Sequence, residues 1–411
     1  MTRVEIISIG NELLSGFTVN SNAAWLGQQM TYLGYKVVQV TAIADQPEEI
    51  REALNAARHR ADIMLVTGGL GPTHDDITKS TVSVYFDRPL RENKKALANV
   101  EKFFTKRNRP ITDLGRMQGL IPEGADVLAN GYGTASGIGI YEAGKLFIFM
   151  PGVPREMKDI ISNEGLEYIQ SKFPQEKMLI ANLRTTGIYE SKLADKIQHL
   201  IDGQNTITVA YLPKITGVTL RLMAPRNAED QFLNLYHAIK ERVQKYIFSE
   251  DNENLETVVG KLLLQQQKTI ALAESCTGGL VSHMLTDLPG SSAYVLYNQV
   301  VYSNDFKIKA LNIAATIIEK HGAVSEETAA AMAENARAIA GTDYGIGITG
   351  IAGPGGGTEE KPVGLVFIAL AEKDQSTRVY RFQFGGDRHI NKTMSAIAAL
   401  EILRRTLLQI K

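Results

Sequence analysis

Short runs rich in Val and Ile, each ending in turn residues, recur along the first part of the chain: VEIISIG at 4–10, KVVQVTAIAD at 36–45 and DIMLVTGGLG at 62–71. Between them, SNAAWLGQQMTYLG and QPEEIREALNAARHRA carry apolar residues at helical spacing. Strands separated by helices of that length need right-handed crossovers, which predicts a mostly parallel sheet. Ligands of such sheets gather at the carboxyl ends of the strands. Three loops fall there: GNELLSGFTVNSN, the turn at Asp45, and GGLGPTHDDIT. KLFIFMPGVPREM adds a further strand, and PREMKDIISNEGLEYIQSKF reads as a helix leading out.

From 177 to 246 the order changes to strand, helix, two strands, helix, the pattern of a small α+β module. It is loosely KH-like, but TGIYESK lacks the GxxG loop that clamps a nucleic-acid backbone. SEDNENLE at 249–256 is polar and acidic and reads as a linker after the helix AEDQFLNLYHAIKERVQKYI. Beyond it, strand and helix alternate again through TIALAES, NQVVYSN, DYGIGITGIAG, VGLVFIALAE and RVYRFQFGG to a last helix, INKTMSAIAALEILRRTLLQ. Three domains are expected: 1–170 of α/β type, 171–250 as an α+β connector, and 251–411 of α/β type.

Length agrees with that division, because 411 residues exceed one compact core. A formal charge of −1 gives no broad field to attract polyanions, so neither nucleic acid nor an anionic membrane is an expected partner. The single cysteine cannot form an internal disulfide, and Asn11 and Glu12 interrupt the first apolar run before it could serve as a signal-peptide core. No apolar stretch approaches the ~20 residues that span a bilayer. A cytoplasmic location is expected.

Candidate chemistry begins at AESCTGG, residues 273–279. If TIALAE is a buried strand and GGLVSHML a helix, Ser275 falls on the turn between them. The N–H groups of Thr277, Gly278 and Gly279 would then cluster at a positive helix terminus and could receive an anion or an oxyanion. Alternatively, Ser275 and Thr277 simply cap the helix. A serine nucleophile needs a base, and His283, His321 and His389 lie in no motif. Tyr302 and Lys307, following the strand QVVY, are another option, since a desolvated lysine loses its proton readily. Lys307 would otherwise be one more solvated lysine beside Lys309. Cys276 is the rival nucleophile. ITGIAGPGGGTEEKPVG at 348–364 joins two strands through a glycine-rich loop that lets backbone approach a ligand, or is a plain long hairpin.

In the first domain, Gly68, Gly69 and Gly71 of TGGLGPTHDDIT would permit close approach to phosphate. Asp75 and Asp76 could carry Mg²⁺ to a pyrophosphate, or Asp76 could cap the helix ITKSTVSVYF.

AESCTGG, VYSNDFK, HGAVSEE, ITGIAGPGGGTEEKPVG and FGGDR, in this order, resemble the nicotinamide-nucleotide amidase domain of the CinA (competence/damage-inducible protein) family over nearly all of 255–411. The resemblance implies hydrolysis of nicotinamide mononucleotide to nicotinate mononucleotide and ammonia without a cofactor. It implies Ser275 as nucleophile, Lys307 as base and Tyr302 as its partner in proton transfer. Thr277, Gly278 and Gly279, the loop Thr349, Gly350, Ile351, Ala352 and Gly353, and Arg388 would hold the substrate. A second arginine is usual after the GDR motif of that family, and Lys392 stands at the matching position, a point charge in place of a bidentate fork.

ISIGNELLSG, VTAIAD, VTGGLGPTHDDIT, GYGTASGIGI and MPGVPREM likewise resemble the amino-terminal domain of the same family, which shares the three-layer molybdopterin-binding fold of MoaB and Mog proteins. This implies cleavage of a nucleotide pyrophosphate such as ADP-ribose with a divalent metal, Mg²⁺ or similar, at Glu12, Asp45 and Asp76, with Asp75 beside them. Where the family usually has VDTN, this chain has Val19-Asn20-Ser21-Asn22, and Ser136 replaces the proline of GTAPG. Asn20 brings no negative charge to offset a divalent ion. The alternative for this domain is pterin or nucleotide binding without turnover. A homodimer is also implied by the resemblance.

Overall fold

The structure is a computed structural model that describes residues 1–73 and 76–410. The chain divides into two compact units, Met1–Leu179 with Pro225–Asn227, and Ile180–Ala224 with Ala228–Lys411. Among the described residues no helix is long and apolar enough to cross a membrane.

In the first unit the Val and Ile runs become β1 (Arg3–Ile9), β2 (Lys36–Ile43) and β3 (Ile63–Thr67). A short antiparallel pair, β4 (Leu90–Glu92) and β5 (Leu120–Pro122), stands apart from the main sheet. β6 (Asp126–Leu128), β7 (Gly137–Glu142) and β8 (Lys145–Met150) complete it in the order β2-β1-β3-β8-β7-β6. The first four strands of that order are parallel, and β7 and β6 run antiparallel at one edge. Two helical layers cover the sheet. Ile50, Leu54 and Ala57 of the helix Pro47–Arg60 pack with Ile7, Met64 and Val66, while Leu26 and Met30 of the helix Ser21–Tyr32 pack with Ile6, Ile63 and Leu65. Adjacent residues of β3 thus enter opposite cores, which is why it reads as an unbroken apolar run. Each such buried Val, Leu, Ile or Met side chain stabilises the fold by roughly 1.5–3 kcal/mol. Glu5 is the buried charge within β1. Its fully buried carboxylate accepts two hydrogen bonds from Arg60 (2.7 and 3.1 Å) and one from Thr41 (3.1 Å).

The second unit opens with β9 (Leu179–Thr185), followed by β10 (Thr208–Lys214), β11 (Gly217–Ala224) and β12 (Ile247–Ser249), paired in the order β10-β11-β9-β12. The amphipathic helix expected to run to the linker ends at Val243, and β12 pairs antiparallel with β9. The acidic segment that follows is tied down as well: the Arg184 guanidinium donates to the carbonyls of Asn252 (2.8 Å) and Glu253 (2.5 Å).

The last sheet comprises β13 (Ile270–Glu274), β14 (Val295–Val300), β15 (Tyr344–Gly350), β16 (Leu365–Glu372) and β17 (Arg378–Gln383), in the order β14-β13-β15-β16-β17. β14, β13 and β15 are parallel; β16 and β17 continue antiparallel. On one face the helices Leu255–Gln265, Leu280–Thr286 and Arg388–Leu407 share a core with Leu272, Ile346 and Ile368. On the other, the alanine-rich helix Glu326–Ala340 lies directly against the sheet, since any side chain at Gly345 or Gly347 would collide with the carbonyl oxygens of Ala333 or Ala329.

Candidate active site

Ser275 follows the fully buried strand β13, and its N–H donates to the Ile348 carbonyl of β15 (2.9 Å), so the sheet itself fixes the start of the turn. Gly278 and Gly279 take positive φ, 63° and 90°, which only glycine adopts without strain. The helix Leu280–Thr286 then begins. No side chain caps it at Gly279, so neither Ser275 nor Thr277 is a helix cap. Glu274 does that work from the strand: its buried carboxylate accepts from Val281 N (3.2 Å), Ser282 N (2.8 Å) and Ser282 Oγ (2.6 Å). Of the three main-chain donors expected to cluster here, Gly278 N–H has a partner in the turn. Gly278 N–H turns back on the Ser275 carbonyl (3.0 Å), and the helix-terminal amides already face a carboxylate.

Lys307 reaches this turn from the helix Asn304–Leu311, which Ser303 caps by accepting from Phe306 N (3.3 Å). Its side chain is no solvated lysine, being only 1% exposed. Nζ donates to the Val301 carbonyl (2.9 Å) and stands 3.1 Å from Ser275 Oγ. Burial disfavours the charged ammonium and pushes the amine below the ordinary lysine range. An amine that has lost its proton holds a lone pair, and the nearest hydroxyl is that of Ser275. The same burial acts oppositely on Cys276, whose thiol is pushed up to about 12 and packs in the apolar core with Val281 and Leu285. A thiol so held stays protonated at neutral pH and is a poor nucleophile.

The glycine-rich loop joins the antiparallel strands β15 and β16, so it is a long hairpin connection, and the functional question is what its backbone faces. Arg388, at the start of the last helix, donates to the Gly353 carbonyl (2.7 Å) and to Tyr302 Oη (2.6 Å). Three separate segments therefore meet at one guanidinium. Tyr302 is 58% exposed and makes no hydrogen bond to Ser275 or Lys307 among the described residues. Lys392 lies over the serine turn, its Nζ 3.2 Å from where a Cβ on Gly278 would stand. Thr349 is turned inward, its hydroxyl donating to the Ala323 carbonyl (2.6 Å), and Ile351 closes on β16 through N–H to the Leu365 carbonyl (2.8 Å). Gly350 pairs with Val366 in the ladder, and Ala352 offers its carbonyl to Asn391 Nδ2 (3.0 Å). Glu274 and Asn391 are the two residues here that sequence reasoning missed. Both are buried polar groups bonded mainly to backbone, and the one available signal was a carboxylate inside an apolar strand.

In the first unit, Glu12, Asp45, Asp76, Gly68, Gly69 and Gly71 all line one cleft of about 880 Å³. It lies beyond the carboxyl ends of β1, β2, β3 and β8, where the topology places ligands. Asp76 is not a helix cap, because the helix Thr78–Tyr85 begins after Ile77 without a side-chain cap. Its carboxylate instead accepts from Thr73 N (2.9 Å) and Thr73 Oγ1 (2.6 Å). Asp45 accepts from Asn11 N (3.2 Å). The amide oxygen of Asn20 accepts from Ala23 N (3.1 Å), capping the helix Ser21–Tyr32, and from Ser8 Oγ (3.3 Å). Asp75 lies outside the described residues. Among those described, no three His, Cys, Asp or Glu side chains stand together closely enough to hold a metal ion by themselves; Mg²⁺ is commonly held by one or two carboxylates together with substrate phosphates, and Glu12, Asp45 and Asp76 line the same cleft. Sequence reasoning also missed Glu156, which lines the cleft and accepts from Asn130 Nδ2 (2.7 Å).

Comparison with known families matches residues 252–407 to the CinA C-terminal domain, 5–171 to a probable molybdopterin binding domain, and 181–249 to the damage-inducible protein CinA KH domain. The chain is 41% identical over 411 residues to a CinA-like protein of Synechocystis sp., covering 98% of this chain and 99% of that one. A CinA-like protein of Cytophaga hutchinsonii is 38% identical over 418 residues, covering 99% and 98%. Among solved structures, the competence/damage inducible protein CihA from Agrobacterium tumefaciens is 36% identical, with a TM-score of 0.37, and covers 40% of this chain and 99% of that chain.

Proposed function

The chain belongs to the CinA family, and we propose that its last domain hydrolyses the amide of nicotinamide mononucleotide to give nicotinate mononucleotide and ammonia. The observation that carries this reading is the 3.1 Å approach of Lys307 Nζ to Ser275 Oγ at a buried turn. The uncharged amine takes the hydroxyl proton as Ser275 attacks the amide carbonyl, and the resulting ammonium returns that proton to the departing nitrogen. Ammonia leaves an ester on Ser275. Water, deprotonated by the same amine, then attacks the ester and frees the carboxylate product, after which Ser275 regains its proton. Arg388 and Lys392 supply positive charge at the mouth of the site for the nucleotide phosphate. Tyr302 stands with them, and a part in proton transfer requires the substrate to draw its hydroxyl away from Arg388.

The test is to incubate the full chain with nicotinamide mononucleotide and measure both ammonia and nicotinate mononucleotide. Ser275→Ala should release neither, while Cys276→Ser should retain turnover. Activity surviving Ser275→Ala but lost in Cys276→Ser would transfer the nucleophile to the thiol.

For the first unit the proposal is binding of a nucleotide or pterin in the cleft between the Gly68–Gly71 loop and Glu156. Metal-dependent cleavage of ADP-ribose, which the family resemblance implies, is the second reading: Glu12, Asp45 and Asp76 line this cleft, while Asn20 brings no negative charge to offset a divalent ion. On the binding reading, ADP-ribose with Mg²⁺ binds without giving AMP. Steady AMP release would restore the pyrophosphatase reading.

A further inference from the structure

We infer that Asn391 is a positioning residue that joins the two loops of the amidase site into one surface and so sets where Arg388 stands; this rests on the amidase reading above. Asn391 lies on the last helix three residues after Arg388, on the same face. Its side chain is fully buried. Nδ2 donates to the carbonyls of Ala352 (3.0 Å) and Gly386 (2.8 Å), and Oδ1 accepts from Gly386 N (3.0 Å). One carboxamide thereby meets both main-chain groups of Gly386 and one from the glycine-rich loop. Only a side chain carrying two donors and an acceptor on one plane can do this.

A neighbouring pair repeats the connection. Gly353, following Ala352, accepts from Arg388, two residues after Gly386. Helix and loop are thus fastened twice, once by a buried neutral group and once by a charged group at the surface. The two fastenings differ in what a substrate does to them. A phosphate arriving at the mouth competes with Gly353 and Tyr302 for the guanidinium, whose five N–H donors let Arg388 keep or exchange either partner. The buried carboxamide has no such competitor. Asn391 therefore holds the loop in place while Arg388 changes partners, and Arg388 starts from a defined position instead of a mobile one. Ser275 and Lys307 make no hydrogen bond to Asn391, so the chemical step itself should be spared.

The experiment uses the full chain with Asn391→Leu, which removes all three bonds, and Asn391→Asp, which keeps volume and the acceptor for Gly386 N but loses both donors. The second variant carries the test if the first does not fold. Expected is a KM for nicotinamide mononucleotide raised on the order of tenfold with kcat within about twofold, the pattern of lost binding at intact chemistry. Amide hydrogen exchange should quicken at 353–357 and 386–388 while β13 and β15 stay protected. Combining either variant with Arg388→Ala should cost less than the sum of the two. A folded variant with unchanged KM and unchanged loop exchange would overturn the inference, as would a fall in kcat alone. Exchange needs no substrate, so it separates the two readings: if the wild-type chain releases no ammonia, the substrate assignment fails while quickened or unchanged loop exchange still decides the role of Asn391.

Discussion

The serine turn and the glycine-rich cleft of the first unit begin alike, each at the end of a buried strand of a parallel sheet where positive-φ glycines turn the backbone sharply. They diverge in what comes next. After β13, a lysine from a separate helix is buried against the serine hydroxyl at 3.1 Å. After β3, Asp76 closes on its own loop through Thr73, and Asp45 and Glu12 line the same cleft. Strand-end topology makes room for a ligand in both; chemistry requires the further step of bringing two reactive groups into contact.

The sharpest way to break that comparison is to remove the contact. Lys307→Met keeps the aliphatic stem and deletes the amine, and ammonia release should fall about a thousandfold, as for loss of a general base. A variant with near-normal turnover would reduce the lysine to packing. Next in size is stability. Glu274→Ala leaves Val281 N, Ser282 N and Ser282 Oγ without their acceptor inside the core, and should cost about 3 kcal/mol on chemical denaturation. A loss within experimental error would mean that another group caps that helix. Arg388→Ala should raise KM roughly tenfold with a smaller effect on kcat, in keeping with loss of a charged contact to phosphate. An effect confined to kcat would move Arg388 into the chemical step. At the bottom of the scale, Asp76→Asn should leave ammonia release unchanged, because Asp76 takes no part in the proposed amide hydrolysis; a large effect would show the two to be coupled.

Much of the architecture was readable in advance because parallel strands covered on both faces must be nearly continuous in Val, Ile and Leu. Where strands are three residues long, as in β4, β5, β6 and β12, no period can be counted. β12 was further hidden because IFS follows a strongly amphipathic helix and precedes an acidic stretch, and its place is set by pairing with β9, distant in sequence. In the site, Ser275 and Lys307 were legible through residue type and family motif. Glu274 and Asn391 were not, because their partners are main-chain groups whose positions depend on turns that no spacing rule describes. The possible capping role of Asp76 failed for a related reason: the residue satisfies Thr73 in its own turn and leaves the helix start uncapped.

Everything proposed for the serine turn depends on Lys307 being uncharged when Ser275 attacks. With its pKa lowered by burial, the amine sheds its proton in the folded chain before it does so in the unfolded one. Turnover should therefore rise with pH and level off below the ordinary lysine range, and folding stability should also rise with pH across that interval, since the unfolded chain binds the extra proton there. The direct measurement is a titration of Lys307 followed by nuclear magnetic resonance of labelled lysine Cε and Nζ, assigned by comparison with Lys307→Met. Deprotonation well below the 10.5 of an exposed lysine is the result expected; a Lys307 signal that titrates at or above that value would contradict the mechanism.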